Sequence, residues 1–276
     1  MKSDLYCLLG NPVEHSKSPW IHTRFAELTH QALHYERRLV PLDGFAAAVG
    51  AFRAAGGRGC NITVPFKFEA APLATGLSER AALAQACNVL RFEGDSVLAD
   101  NTDGIGLARD ITVNAGVDLA GRDILLLGAG GAAAGVLGPL IACGPRRIVV
   151  ANRTQAKAAQ LIGRHASWAE QHGVSLEAPD AGGARGTFDA VLNATASSLA
   201  GAPVPVRGSV LKPGALACDF MYGPGADGFL RWAREHGGVP RDGLGMLVEQ
   251  AAEAFALWRG VRPPSAQVLT ELRALM

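Results

Sequence analysis

Apolar residues along the chain fall into short runs that alternate between two spacings. Compact runs rich in Leu, Val and Ile predict strands at 4–10 (DLYCLLG), 33–40 (LHYERRLV), 58–64 (RGCNITV), 188–195 (FDAVLNAT) and 214–220 (GALACDF). Between them the apolar positions recur at helical spacing. Trp20, Ile21, Phe25 and Leu28 mark a helix from Ser18, where serine can cap and Pro19 suits the first turn. Residues 42–57 read as a helix closed by glycine and 66–85 as short helices. Residues 86–101 read as two strands around a Glu-Gly-Asp turn, and 246–260 as a long helix. Such alternation predicts an α/β chain with parallel sheets, not a sandwich or a bundle. After a helix that ends near Ala115, the pattern restarts at Gly121. Strand, glycine turn, helix and strand follow within about thirty residues, the length of a βαβ unit. The Gly- and Ala-rich stretch 178–187 reads as a surface loop, and there is neither an internal repeat nor a heptad seam.

Length and charge narrow the classes. A chain of 276 residues, 49% hydrophobic, is long for one domain, so two are expected. With 26 Lys+Arg against 25 Asp+Glu there is no basic field to collect nucleic acid or anionic membrane, which points to a small-molecule partner. Five scattered cysteines without a close pair fit reduced thiols, and the N-terminal stretch lacks the pattern of a signal peptide; the cytosol is the expected compartment. Residues 124–144 carry no charge over a membrane-spanning length, but glycines and a proline break them, so a glycine turn between two apolar elements is the better reading. His30 and His34 have the spacing of a metal pair, yet His34 falls in the next predicted strand and no third ligand is evident, so no metal is expected.

The glycine turn carries the first candidate chemistry. Gly128, Gly130 and Gly131 stand directly after the strand ILLL and before an Ala-rich helix, with Ala133 at the third, necessarily small, fingerprint position. Glycines there let backbone N–H groups approach a pyrophosphate at the helix N-terminus. The second strand of the unit, RRIVVA, ends in Asn152, Arg153 and Thr154, with Lys157 a turn further on. A free ribose 2′-hydroxyl calls for a carboxylate at that place and a 2′-phosphate for a cation, so these residues predict NADP over NAD.

Three further places are candidate chemistry. In NITVPFK (61–67) a strand runs out at Pro65 and leaves Lys67 where a buried segment stops, as either a solvated charge or a working one. In GNPVEHSKSP (10–19), Ser16 and Ser18 bring two hydroxyls to a helix N-terminus; Ser18 suffices as the cap, and the pair makes a seat for a carboxylate. Gln250 lies on or beside the apolar stripe Met246, Leu247, Ala251, Ala254, Phe255 and Trp258, where an amide must find a polar partner or a ligand.

GNPVEHSKSP, NITVPFK, ACNVL, NTDGIG, GAGGAA, NRT and GLGMLVEQAAEAF occur in an order and at a spacing that resemble the shikimate dehydrogenases, from residue 10 to about residue 258. The resemblance implies NADPH-dependent, reversible reduction of 3-dehydroshikimate to shikimate on the route to chorismate and the aromatic amino acids, in a monomer or homodimer. It implies an α/β substrate domain at 1–102, a Rossmann-type NADP domain at 103–238, and C-terminal helices at 239–276 that return to the first domain. Carried over by motif, Ser16 and Ser18 would hold the substrate carboxylate, with Thr63 nearby. Asn88, Asp103, Tyr222 and Gln250 would surround the ring, and Lys67 with Asp103 would do the acid–base work. The cofactor would meet Gly128, Ala129, Gly130, Gly131 and Ala132, the segment from Asn152, Arg153 and Thr154 to Lys157, and also Phe220, Gly243 and Glu79. Phe220, NATASS (193–198) and GPGADGFL (223–230) depart from the family's commoner pattern.

Competing readings remain at this level. Asp103 could simply cap the helix that follows NTDG. A broader NAD-using quinate/shikimate dehydrogenase is disfavoured by NRTQAK, which has no acid. A non-catalytic dinucleotide sensor has no need of Lys67 together with Asp103 and both serines.

Overall fold

The computed structural model describes residues 3–179, 184–195 and 203–276. They form two compact units, Met1–Leu107 with Leu247–Met276, and Ala108–Met246. Part of the expected surface loop 178–187 and residues 196–198 of NATASS lie outside the described residues.

The first unit is built on a six-stranded sheet of β1 (Asp4–Gly10), β2 (Leu33–Leu39), β3 (Gly57–Ile62), β4 (Gly76–Leu77), β5 (Val89–Glu93) and β6 (Ser96–Asp100). Their order is β2-β1-β3-β5-β6-β4. β1 runs parallel to both neighbours, whereas β3, β5 and β6 are antiparallel, the last two joined at Gly94 in the left-handed conformation that glycine adopts freely. Leu9, Phe45, Phe52, Cys60, Ile62, Phe66 and Leu90 fill the core on one face of the sheet. On the other, Phe25 meets Phe255 edge to face at 5.7 Å and Tyr6 stacks on Trp258 at 4.6 Å. Trp258 also donates to the carbonyl of Leu90 at 3.0 Å, and Arg80 grips Asp100 through two bonds of 2.7 Å while reaching Glu253 at 3.1 Å. Apolar burial and these polar ties make residues 247–276 part of the N-terminal unit.

His22 is buried in this aromatic layer, stacked on Tyr35 at 4.3 Å, with no hydrogen bond to either ring nitrogen. Burial pushes its pKa down to about 3, against 6.5 when free. The folded protein therefore excludes a proton that the unfolded chain binds below pH 6.5. Stability is full above that pH and falls between it and about pH 3, by up to about 1.4 kcal/mol per pH unit. Melting temperatures of the native protein and of His22→Leu, compared at about pH 7.5 and about pH 5, should show a smaller acid-induced drop in the variant. Equal drops would assign the acid sensitivity to other groups.

The second unit holds β7 (Asp123–Leu127), β8 (Arg147–Ala151), β9 (Ser175–Glu177), β10 (Phe188–Asn193), β11 (Leu211–Asp219) and β12 (Val239–Arg241), all parallel. Their order, β12-β11-β10-β7-β8-β9, is the 3-2-1-4-5-6 arrangement of a dinucleotide-binding fold when β7 is counted as the first strand. The uncharged segment 124–144 is resolved into β7, the glycine turn and the helix Gly131–Ala142. Among the described residues no helix is long and apolar enough to cross a membrane.

The chain passes between the units at 107/108 and 246/247, inside the helices Asp103–Arg109 and Leu244–Arg259. The expected helix cap needs correction. Ser18 is the first helical residue and caps nothing. Ser16 Oγ accepts the Ser18 N–H at 3.2 Å, so Ser16 takes the local role assigned to its neighbour. Asn101 Oδ1 accepts the Asp103 N–H at 3.1 Å and so holds the start of the helix Asp103–Arg109.

Candidate active site

β3 ends at Ile62, and the chain turns through Thr63 to Phe66 into the short helix Lys67–Ala70. Phe66 is fully buried and anchors this turn, while the Lys67 carbonyl accepts the N–H of Cys87 at 2.8 Å. Lys67 is thus held at its backbone, and its side chain is only 16% exposed. Nζ lies 2.5 Å from Oδ2 of Asp103, the first residue of the helix Asp103–Arg109. The other oxygen, Oδ1, accepts Asn88 Nδ2 at 2.8 Å. Both carboxylate oxygens therefore receive N–H donors, and the solvated-charge reading of Lys67 fails on burial.

Two amides complete the cluster, and backbone groups fix which way each one points. The Thr102 N–H donates to Asn88 at 2.7 Å, which makes that atom Oδ1 and turns Nδ2 toward Asp103. Gln250 Nε2 donates to the Leu247 carbonyl at 2.8 Å, so Oε1 is the atom 3.2 Å from Asn88 Nδ2. Asn88 Nδ2 has two protons and three acceptors, with Thr102 Oγ1 the third at 2.9 Å. One proton goes to Asp103, and Gln250 shares the other with the hydroxyl. Thr102 Oγ1 also lies 3.5 Å from Gln250 Oε1, so the amide of Gln250 keeps one donor for a ligand oxygen.

Behind the cluster, Tyr35 donates to Asn61 Oδ1 at 2.8 Å and Asn61 Nδ2 donates to the Asn88 carbonyl at 3.2 Å. Asn101 Nδ2 holds the Ala86 carbonyl at 2.8 Å. Burial pushes the Asp100 carboxyl upward, but the Arg80 guanidinium and the Ser78 hydroxyl overcome it and leave its pKa below the ordinary value. Asp100 in turn accepts the Asn101 N–H at 2.7 Å, so the strand end that leads to Asp103 is anchored by charge. Tyr35, Asn61 and Thr102 were not singled out from sequence. The available signal was an asparagine inside the otherwise apolar run RGCNITV and a buried threonine between two polar residues in NTDG.

Elsewhere in the same unit, Ser16 and Ser18 form a pair with their Oγ atoms 3.1 Å apart; Ser18 is buried and Ser16 half-buried. The Thr63 N–H donates to the Leu9 carbonyl at 2.9 Å, so β1 and β3 carry Thr63 and the serine loop from adjacent strand ends. Glu79 is exposed at the start of the helix Glu79–Ala84.

In the second unit the glycine turn lies at the carboxyl end of β7, beside β10, where the strand order reverses. Gly128 has φ +106°, and a Cβ there would stand 3.2 Å from the Ala194 carbonyl oxygen, so glycine is required twice over. Gly130 is exposed and has open space where a side chain would be. Gly131 and Ala132 open the helix, and Ala133 and Ala134 are buried against the sheet. Its first N–H groups are directed at the turn without a side-chain cap, an arrangement that fits a pyrophosphate. After β8, Asn152 Nδ2 bonds the Thr154 carbonyl at 2.8 Å and shapes the loop, while Arg153 and Lys157 are exposed and make no ion pair among the described residues. Gly243 packs directly on the backbone of Phe220, and its N–H donates to the Met221 carbonyl at 2.8 Å. Tyr222 follows in the same loop, half-buried, and belongs to this unit instead of the one that holds Lys67.

Comparison with known proteins gives a consistent answer along the chain. Residues 8–90 match the shikimate dehydrogenase substrate binding domain, 107–200 the shikimate / quinate 5-dehydrogenase family, and 243–273 the shikimate 5'-dehydrogenase C-terminal domain. A shikimate dehydrogenase (NADP(+)) of Acidovorax ebreus is 66% identical over 99% of this chain and 96% of its own. That of Paracidovorax citrulli is also 66% identical, over 98% and 97%. Among solved structures, an Ael1 enzyme from Pseudomonas putida superposes with a TM-score of 0.86 at 46% identity, covering 98% of each chain. A shikimate 5-dehydrogenase from Thermus thermophilus in complex with NADP(H) and shikimate gives 0.83 at 29% identity, covering 99% of this chain and 100% of that one.

Proposed function

The chain belongs to the shikimate dehydrogenase family, and on that premise we propose how its residues divide the work of an NADP-dependent oxidoreductase of aromatic amino acid biosynthesis. The reaction is the reversible reduction of 3-dehydroshikimate to shikimate. Bound NADPH supplies the hydride to the carbonyl carbon, and the oxygen that gains the electron pair needs a proton. Lys67 gives it. The observation that carries this assignment is the Lys67–Asp103 contact of 2.5 Å in a nearly buried setting, with Asn88 on the second carboxylate oxygen. Asp103 accepts from two N–H groups and aims the amine of Lys67. In the direction of oxidation the same amine takes the hydroxyl proton. Gln250, with one amide donor available, aligns a neighbouring ring hydroxyl. Tyr222 serves the same substrate. Ser16 and Ser18, aided by Thr63, seat the carboxylate at the head of their helix.

For the cofactor, Gly128 to Ala132 cradle the pyrophosphate. Arg153 and Lys157 take the 2′-phosphate with Asn152 and Thr154 shaping the loop, Phe220 and Gly243 line the nicotinamide end, and Glu79 makes an outlying contact. The residues present fit NADP because cations without competing carboxylates follow β8. A steady-state assay crossing shikimate and quinate with NADP and NAD tests the reading. Fast reduction with shikimate and NADP is expected; no reduction with either acid would overturn it.

Ser16→Ala is expected to weaken substrate binding by about 1–3 kcal/mol, the worth of a hydrogen bond to a charged group, and to raise the shikimate KM accordingly. The NADP KM should not move. Because Ser16 also accepts the Ser18 N–H, a drop in melting temperature with unchanged shikimate KM would reduce its role to shaping the loop.

A further inference from the structure

We infer that Asn193 and Asp219 form a buried clasp that positions the loops of the cofactor site, which makes both of them positioning residues for NADP binding. This rests on the reading of the Gly128 turn as the pyrophosphate cradle. The two residues sit in register at the carboxyl ends of β10 and β11, Asn193 2% exposed and Asp219 fully buried. Asn193 Nδ2 donates to Asp219 Oδ2 at 2.9 Å. Asp219 Oδ1 accepts the Met221 N–H at 2.8 Å. On its other side Asn193 Oδ1 accepts both the N–H of Thr195, at 3.2 Å, and its hydroxyl, at 2.7 Å. The Phe220 N–H meets the Asn193 carbonyl at 3.0 Å, and the Ala194 N–H meets the Leu127 carbonyl at 2.9 Å.

One amide–carboxylate pair therefore ties together the chain after β10, which touches Gly128, and the chain after β11, which carries Phe220 to Tyr222 and receives Gly243. Neither side chain is exposed enough to contact a ligand, so both act through backbone that does.

The directions of the bonds are forced. The N–H groups of Met221 and Thr195 can only donate, so each needs an acceptor facing it. The remaining link between the two side chains must run from an amide to a carboxylate. Asp219→Asn sets two NH₂ groups against each other, or, if Asn193 turns over, sets one against the Thr195 N–H. Asn193→Asp sets two carboxylates against each other. The exchange Asn193→Asp with Asp219→Asn restores every one of these bonds: the amide now at position 219 would accept from Met221 and donate to the carboxylate now at position 193, which accepts from Thr195.

The test is NADPH binding to the protein without substrate, followed by nucleotide fluorescence. Each single variant is expected to raise the NADPH Kd about tenfold, and the exchanged pair is expected to come back within about threefold of the native value. Single variants that bind NADPH like the native protein would overturn the proposal. So would an exchanged pair that fails to fold or binds no better than the single variants. A native protein that binds no NADPH would instead overturn the cofactor reading beneath it.

Discussion

Alanine in place of Lys67 is expected to lower kcat by about 10²–10⁴-fold with little change in the shikimate KM, the signature of a group that works in the transition state. The geometry makes a clean test possible. The Lys67 carbonyl remains bonded to Cys87, and Phe66, which is fully buried, keeps the turn in place, so truncation removes the ammonium without moving the backbone. What it leaves behind is Asp103 with Asn88 on one oxygen and the Lys67 donor removed from the other. That residual carboxylate should repel the developing alkoxide, which places the loss toward the upper part of the range. Removing both partners, as in Lys67→Ala with Asp103→Asn, should then cost less than the sum of the single effects, because the two groups act as a unit. Steady-state kinetics of the three variants in both directions decide the matter. A native kcat in Lys67→Ala would remove the lysine from the mechanism, and strict additivity would separate Asp103 from it.

Much of this site could be read from residue types alone, for physical reasons that differ from place to place. The glycine turn was legible because a tight turn between a buried strand and a helix leaves few alternatives to glycine, and Gly128 with its positive φ is such a position. Gln250 was legible as an amide on an apolar stripe, and it meets Asn88. The β9 and β12 strands were not, since three residues carry too little periodicity to distinguish a strand from a loop. Tyr35 and Asn61 were missed because a buried hydrogen-bond partner is a property of pairing between β1, β2 and β3, which no local pattern records. The same holds for Asn193 and Asp219, which are brought opposite each other only by the register of β10 and β11. Ser18 was assigned the cap on residue type, yet the chain geometry gives the local bond to Ser16. The chain changes unit inside the continuous helices Asp103–Arg109 and Leu244–Arg259, a crossing that no local composition marks.

Gly106→Val should damage the enzyme although it touches no proposed catalytic atom. Gly106 lies within the helix Asp103–Arg109, where a side chain would face the helix Leu244–Arg259. A Cβ at this position would stand 2.6 Å from both the backbone nitrogen and the Cβ of Gln250, and 2.9 Å from its Cα. Those atoms belong to helix backbone and to the root of a side chain, so they cannot swing aside as a side-chain tip would. Relief requires the two helices to separate, and each carries part of the site. Asp103 is one turn before Gly106, and Gln250 is the point of contact itself. Overpacking of this kind costs roughly 1–3 kcal/mol or more. A displacement of about an ångström at reacting groups can cost about 10²-fold in rate, so kcat/KM for shikimate should fall by about that factor. Gly50 provides the control. It lies in the helix Phe45–Ala54 with nothing within 4 Å of the place a Cβ would take, so Gly50→Ala should leave the kinetics unchanged and stabilise by about 0.5–1 kcal/mol. Thermal unfolding and kinetics of the two variants, with NADPH binding as a third reading, separate the outcomes. If close helix approach positions the site, Gly106→Val loses stability and kcat/KM while its NADPH Kd stays native. A native kcat/KM in that variant would show that Asp103 and Gln250 hold their places without the close contact.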